Sequence, residues 1–280
     1  SRFSYVDTMV TVVDAFNFFK DFGSPETLVD RELTDIEDDF RTIVNLLTDQ
    51  VEFANVIILN KTDLVTDEHL GLLRASIKKL NQSAKIIETS YSKVPPKEIL
   101  NTGLFNFEEA EQSAGWMEEL EKDEHTPETE EYGISSFVYR TKKPFDPIRF
   151  WKFLQQGFPT SVIRSKGLFW LASRPDQALI WGQAGGSLKA DSAGVWWCSM
   201  PFQSRIQQIP FLENQQQIES DWDIDFGDRK NEIVFIGQNM NETLIRSLLD
   251  RCLSTDKELE TKQWEKGYKD DWPVERVYPI

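Results

Sequence analysis

Val56-Ile57-Ile58-Leu59-Asn60-Lys61-Thr62-Asp63 decides the reading of this chain: an apolar run passes directly into Asn-Lys-X-Asp. A short apolar run without alternation is the pattern of a strand buried on both faces. Loops at the C-terminal ends of such strands are where parallel α/β sheets bind ligands. The residue types suit one ligand in particular. A carboxylate at Asp63 accepts from both the N1 hydrogen and the 2-amino group of guanine, a donor pair that adenine lacks. Asn60 braces the loop and reaches the base edge, while the aliphatic stem of Lys61 lies over the ring. The plainer alternative is a solvated turn after a strand. Asn60, Lys61 and Asp63 are assigned to guanine, and Asp63 carries the discrimination.

Working outward, the first part alternates strand and helix. Thr8 to Val13 is β-branched and apolar, Asn55 to Leu59 is the next strand, and Ala84 to Thr89 is a third. Between them, Leu33, Ile36, Phe40, Ile43, Val44 and Leu47 place one apolar stripe on a helix over 30–47. Leu70, Leu73, Ile77 and Leu80 do the same over 67–80, and a helix is expected from Pro96 toward Leu100. This order predicts a parallel α/β sheet with right-handed connections. The loop Thr89-Ser90-Tyr91 follows the third strand, so a backbone amide near Ser90 is placed to meet guanine O6. Asp14 ends the first strand on the same edge of the sheet. It reads either as a holder of water or Mg²⁺ near the phosphates or as the cap of the following turn.

Asn-Lys-X-Asp is the guanine-reading motif of P-loop GTPases, yet the chain contains no G-x-x-x-x-G-K-[ST] loop to cradle phosphates. It opens on Ser1 and enters a strand within a few residues. The expectation is a fragment carrying the base-recognition half of a GTPase sheet and no catalytic residue, hydrolytically inactive by itself. A sheet lacking a neighbouring strand exposes unpaired backbone groups, which predicts self-association through that edge.

The chain has 280 residues, enough for two domains, with 40% apolar and 28% charged residues. A net charge of −16 leaves no basic stripe for phosphates, which argues against a nucleic-acid partner. Cys198 and Cys252 are the two cysteines, so neither a disulfide framework nor a Cys-rich zinc site is encoded. With no signal-peptide pattern and no apolar run of about eighteen residues, no membrane association is expected and the expected compartment is the cytoplasm.

Composition divides the chain into 1–115, an acidic linker at 116–133, an α+β domain at 134–253 and a polar tail at 254–280. The linker contains His125 among its glutamates, and a solvated charge run is favoured there over a metal site. In the third segment, strands over 136–140, 162–172, 178–181, 194–198 and 232–237 accompany helices capped by Asp146 and Asn241, predicting a smaller α+β unit on a mainly antiparallel sheet. Trp170, Trp181, Trp196 and Trp197 read as core. Arg164, Lys166, Arg174 and Arg229 form either a basic patch for a partner or for the first domain, or scattered surface cations.

Thr11-Val12-Val13-Asp14-Ala15, Asn60-Lys61-Thr62-Asp63-Leu64, Arg164-Ser165-Lys166-Gly167 with Phe169-Trp170-Leu171-Ala172, and Asp228-Arg229 leading into Glu232-Ile233-Val234-Phe235-Ile236-Gly237 occur in that order. This set resembles the CobW-type GTPases, many of which are regarded as metal chaperones, over about residues 1–253. The resemblance implies GTP with Mg²⁺, GTP hydrolysis in the intact protein, and delivery of zinc, cobalt or another transition metal to a client metalloprotein. Within the basic set, Arg164, Lys166 and Arg229 are the candidates for partner or interdomain contact. The family's Cys-x-Cys-Cys metal motif is not in these residues, so no metal ligand is assigned. The alternative is a non-enzymatic interaction module that docks a client through its C-terminal domain.

Overall fold

Three parallel strands, β1 (Val10–Asp14), β2 (Val56–Asn60) and β3 (Lys85–Glu88), lie side by side in that order. They belong to a computed structural model that describes residues 5–24, 26–31, 42–106, 120, 131–261, 270 and 272–275. Val56, Ile57, Ile58 and Leu59 are all buried, as expected of a strand covered on both faces. Helices α1 (Phe18–Phe22), α2 (Ile43–Glu52) and α3 (Asp67–Leu80) belong to this unit. Thr42 and Thr66 cap α2 and α3 by accepting from Asn45 N and His69 N. Fully buried Asn81 ties their C-terminal ends together. Its amide donates to the carbonyls of Val51, Glu52 and Ala54, and its oxygen accepts from Ala84 N ahead of β3.

Two sequence expectations about this unit need correction. The helix expected over 30–47 begins only at Ile43 and runs on to Glu52. Asp30 instead closes a turn, accepting from Thr27 N and Oγ1, and residues 32–41 lie outside the described residues. The helix expected from Pro96 is a single 3-10 turn, Pro96–Glu98, too short to bury a face.

The second unit is a five-stranded antiparallel sheet. In chain order its members are β4 (Ile134–Thr141), β5 (Val162–Phe169), β6 (Gln177–Ala184), β7 (Ser187–Val195) and β8 (Asn231–Gln238), arranged β4-β8-β5-β6-β7. The chain therefore folds as an α/β parallel sheet followed by an α+β unit on an antiparallel sheet. Helix α4 (Pro147–Gln156) starts where Asp146 accepts from Ile148 N and Arg149 N. Three short helices that the apolar pattern did not announce, α5 (Phe202–Arg205), α6 (Ile209–Glu213) and α7 (Gln215–Ser220), separate β7 from β8. Helix α8 (Glu242–Asp250) follows β8, and α9 (Asp256–Glu260) opens the tail. The strand expected over 194–198 ends at Val195 and begins earlier, at Ser187. Gly167 lets β5 approach β8, since a Cβ there would lie 2.0 Å from the Glu232 carbonyl oxygen. Trp170, Trp181 and Trp196 are buried with each indole N–H satisfied, by Lys142 O, Ser165 Oγ and Gln177 O, while Trp197 is half-buried.

Strand β8 links two cores because successive side chains point to opposite faces. Ile233 and Phe235 join Phe137, Phe145, Phe150 and Phe169 on one side. Val234 and Ile236 join Val13, Phe18, Val44, Leu73 and Ile77 of the first unit on the other. At this seam Arg164 Nε lies 2.8 Å from Glu52 Oε1 and its Nη2 lies 3.2 Å from Oε2. A third bond runs from Arg164 Nη1 to Gln183 O. Both charged side chains are almost completely buried, 6% and 1% exposed.

Removing one member of a buried pair strands the other charge, at a cost of about 3–5 kcal/mol. Glu52→Ala is therefore expected to lower the urea midpoint strongly, and Glu52→Leu with Arg164→Met to recover most of the loss. Equal midpoints for Glu52→Ala and the parent would refute this account of the seam.

A second expectation concerns Glu258, which accepts from Thr255 N and Oγ1 and pairs with Arg149 of α4. The Arg149 guanidinium chiefly holds the Glu258 carboxyl at about 2, down from 4.5. A depressed folded-state value means that the stabilisation is complete above the unfolded value and lost as pH falls. Partial exposure keeps it small. The Tm gap between the parent and Glu258→Gln should hold from neutral pH to about 5 and close between about 4.5 and 2. Thermal scans across that range check it, and a gap that survives at pH 2 would contradict it.

Candidate functional site

The register places the ends of the three parallel strands together, with Asp14 opposite Asn60 and Leu59 opposite Glu88. The loops leaving β2 and β3 are then locked to each other by side chains. Asn60 Nδ2 donates to Ser92 Oγ at 2.9 Å, and Ser92 N returns a bond to Asn60 Oδ1 at 2.9 Å. Thr62 adds two bonds to the Thr89 carbonyl, from its backbone N at 3.3 Å and its Oγ1 at 3.2 Å. Its hydroxyl also lies 3.3 Å from Ser90 Oγ. The sharp reversal is made by Lys61 in the left-handed region, φ 64°, before a 3-10 turn over Thr62–Leu64. The facing loop carries the same conformation at Tyr91 and Ser92, φ 56° and 53°.

This bracing leaves one carboxylate unspent. Asp63 is exposed and makes no hydrogen bond or ion pair among the described residues. It stands beside Asn60 and Lys61 on a loop with little freedom left to lose. The Ser90 backbone N–H likewise donates to no described group, while the Ser90 side chain faces Thr62. An unpaired carboxylate and a free N–H on two interlocked loops can accept from and donate to one planar heterocycle without breaking an internal bond.

Asp14 is occupied differently. Its Oδ1 accepts from Phe16 N and Asn17 N, and its Oδ2 accepts from Asn17 Nδ2. Lys61 Nζ approaches the same oxygen at 2.6 Å. Partial burial pulls the Asp14 carboxyl upward, but the bonds from Lys61 and Asn17 outweigh it and hold the group below its ordinary range. The capping alternative is the one the geometry supports. Lys61 consequently spans from the β2 loop to the β1 loop. His69 makes a further tie from α3, with Nε2 3.2 Å from Ala15 O and its ring edge-on to Phe19.

The four cations read as either a basic patch or scattered surface cations do not form a patch, and three of them are buried. Arg164 sits in the seam with Glu52. Arg174 pairs with Asp270 in the tail. Arg229 donates to Pro175 O and Ser199 Oγ and lies over the Trp170 ring at 5.4 Å. Lys166 is half-buried in a cleft of about 700 Å³ between α2 and β5–β7, which it lines with Asn45, Asp49 and Lys189. Desolvation lowers the pKa of Lys166 and raises that of Asp49.

Sequence reasoning missed Ser92 and His69. Ser92 lies one residue beyond the loop singled out after β3, and nothing in its type announces a brace. Among the described residues no group of three or more His, Cys, Asp or Glu side chains is placed to hold a metal ion. Burial pushes the thiols of Cys198 and Cys252 up to about 11, away from thiolate chemistry. His125 lies outside the described residues. Among those residues, no helix is long and apolar enough to cross a membrane.

Comparison with known proteins follows this division. Residues 1–88 match the CobW/HypB/UreG nucleotide-binding domain, and residues 134–253 match the cobalamin synthesis protein cobW C-terminal domain. A zinc-regulated GTPase metalloprotein activator 1 of Dictyostelium discoideum is 42% identical over 260 residues, covering 92% of this chain and 54% of that protein. A zinc chaperone of Mycobacterium tuberculosis is 24% identical over 272 residues, covering 95% of this chain and 62% of its own length. The chain thus spans only about half to two-thirds of these relatives. The crystal structure of Zn(II)-bound YjiA GTPase from E. coli aligns with a TM-score of 0.37 at 18% identity, covering 89% of this chain and 62% of that one. With both domain types matched in order and a relative at 42% identity, the chain belongs to the CobW-type family of metal-chaperone GTPases.

Proposed function

We propose that this chain carries the guanine-recognising part and the C-terminal domain of a cytoplasmic, GTP-dependent metal-delivery protein. The observation that carries the reading is the unpaired Asp63 carboxylate on a loop braced by Asn60 and Ser92. In this reading Asp63 accepts from the guanine N1 and 2-amino hydrogens, Lys61 covers the base, and the Ser90 N–H meets O6. GTP binds with Mg²⁺, which neutralises phosphate charge. The metal delivered is zinc or another transition metal, treated as cargo rather than as a resident cofactor, and the recipient is a client metalloprotein. The names of the Dictyostelium and mycobacterial relatives support this assignment. The working division is a nucleotide-binding part at 1–115, a linker at 116–133, a C-terminal domain at 134–253 and a tail at 254–280. Arg164 and Lys166 serve contact between the two parts, and Arg229 supports the C-terminal domain.

No phosphate loop lies in the 280 residues, so the chain alone is expected to turn over no GTP. Base recognition is nonetheless testable on it. Guanosine titrated into the ¹⁵N-labelled chain should shift the amides of residues 60–63 and 89–92, and adenosine should not. Two charge-assisted bonds lost together amount to at least about a hundredfold in affinity. Asp63→Ala should therefore abolish the guanosine shifts at the same concentrations. Equal responses to the two nucleosides would end the guanine assignment.

We also propose that copies of this chain associate through the outer edge of β1, which among the described residues pairs only with β2. Val10 and Val12 are 39% and 55% exposed there, and a groove of about 490 Å³ runs between Met9–Val12 and Phe53. Sedimentation should reveal concentration-dependent association that Val12→Lys weakens. A monodisperse monomer at high concentration would rule it out.

A further inference from the structure

The tail returns to the second unit after α9 and is held there by contacts of an unusual kind. Arg174, 6% exposed, lies beneath Asp270 and residues 272–275. Its guanidinium grips the Asp270 carboxylate through Nε and Nη2. The same group donates to two main-chain carbonyls, from Nη1 to Val274 O at 2.6 Å and from Nη2 to Trp272 O at 3.0 Å. Gln177, 1% exposed, donates from Nε2 to Glu275 O at 2.7 Å. Between these polar contacts the Trp272 ring descends among Phe150, Trp151 and Phe169, with centroids 5.6, 5.1 and 5.5 Å away. Its indole N–H reaches Pro147 O at 3.0 Å in the first turn of α4.

These contacts divide as they do in peptide recognition. Three carbonyl acceptors, at Trp272, Val274 and Glu275, belong to the main chain and do not depend on side-chain identity, although the segment bends where Val274 N donates to Trp272 O at 2.8 Å. Two side chains specify: a carboxylate for the buried guanidinium and an indole for the aromatic pocket. The recognising groups all belong to the body of the domain, on α4, β5, β6 and the turn before β6. The segment supplies one carboxylate, one indole, the half-buried Val274 side chain and its own main chain. Gln177 Oε1 is buried and has no hydrogen-bond partner among the described residues, an acceptor still available to a peptide N–H.

We infer that the groove formed by Arg174, Gln177, Pro147, Phe150, Trp151 and Phe169 is a peptide-binding site whose resident ligand is the chain's own tail, through Asp270 and residues 272–275. The chemical class that it takes is a peptide with a carboxylate two residues ahead of a tryptophan and a tight turn directly after that tryptophan. The segment is a separable ligand held by its tether, and its Trp272 ring fills a gap in the aromatic core of the domain. A tethered segment acts at an effective concentration on the order of millimolar, so a free peptide at micromolar concentration does not displace it from the parent chain. The inference is independent of the nucleotide reading, since the guanine loop contributes no group to this groove.

The test uses the full chain carrying Trp272→Ala and a fluorescein-labelled peptide with the sequence of residues 264–280. Anisotropy should rise to saturation with the W272A chain and stay flat with the parent. Peptides carrying Asp270→Asn or Trp272→Ala should bind at least about thirtyfold more weakly, the loss expected when an anchor is truncated. A W272A chain that keeps its circular dichroism but does not bind the peptide would overturn the proposal. One that fails to fold would overturn it too, because Trp272 would then be an indispensable core residue. A second measurement places a protease site between residues 261 and 270. After cleavage the tail should co-elute with the body and exchange for labelled peptide, whereas precipitation on cleavage would refute separability.

Discussion

A guanidinium and a carboxylate removed from water together hold the two halves of this chain in place. Arg164 reaches out of the antiparallel sheet and Glu52 ends the second helix of the parallel unit, and neither has solvent to fall back on. Such a pair contributes little net stability compared with an apolar contact of the same shape. Its value lies in direction. Apolar surfaces slide past each other at low cost, whereas two parallel N–H···O bonds fix both distance and angle. The apolar contacts of Val234 and Ile236 with Val44, Leu73 and Ile77 supply the driving force around it. The pair selects one arrangement from those that the apolar surfaces alone would allow.

The edge of the parallel sheet that carries Asn60 and Asp63 rests on the same kind of arrangement at smaller scale. Asn60 spends its amide on Ser92 and Lys61 spends its ammonium on Asp14, which leaves Asp63 as the exposed acceptor between them. A ligand meeting such a loop pays little to order it, because the ordering is already part of the fold. The left-handed backbone at Lys61, Tyr91 and Ser92 is held by those side-chain bonds, so local strain and bracing occur at the same residues.

Much of this was legible in residue types and spacing. The run from Val56 to Leu59 announced a strand buried on both faces, and the caps at Asp146 and Asn241 marked their helices within a residue. The Asn-Lys-X-Asp motif directly follows the second strand, as the apolar run ahead of it implied. What spacing could not show was where a charge would end up. Arg164, Arg174 and Arg229 look like surface cations in sequence, and each is buried because its partner comes from a remote segment: Glu52, Asp270, and the carbonyl of Pro175. The start of α2 was misplaced for a related reason. The apolar stripe continues upstream of Ile43, while the stop is made by Thr42 accepting from Asn45 N, a cap that periodicity does not reveal. Ser92 escaped notice because its role depends on a bond to a residue thirty-two positions away.

Strand β8 has one more consequence. It sits between β4 and β5 with both faces covered, one by the aromatic core of its own domain and the other by helices of the preceding unit. Unravelling the antiparallel sheet therefore uncovers the helices of the parallel unit, and loss of those helices wets the back of β8. Two domains by sequence match thus share one melting event. The amides of Ile233 to Ile236 would be the last to exchange with solvent, and damage in either half would be felt as loss of the whole.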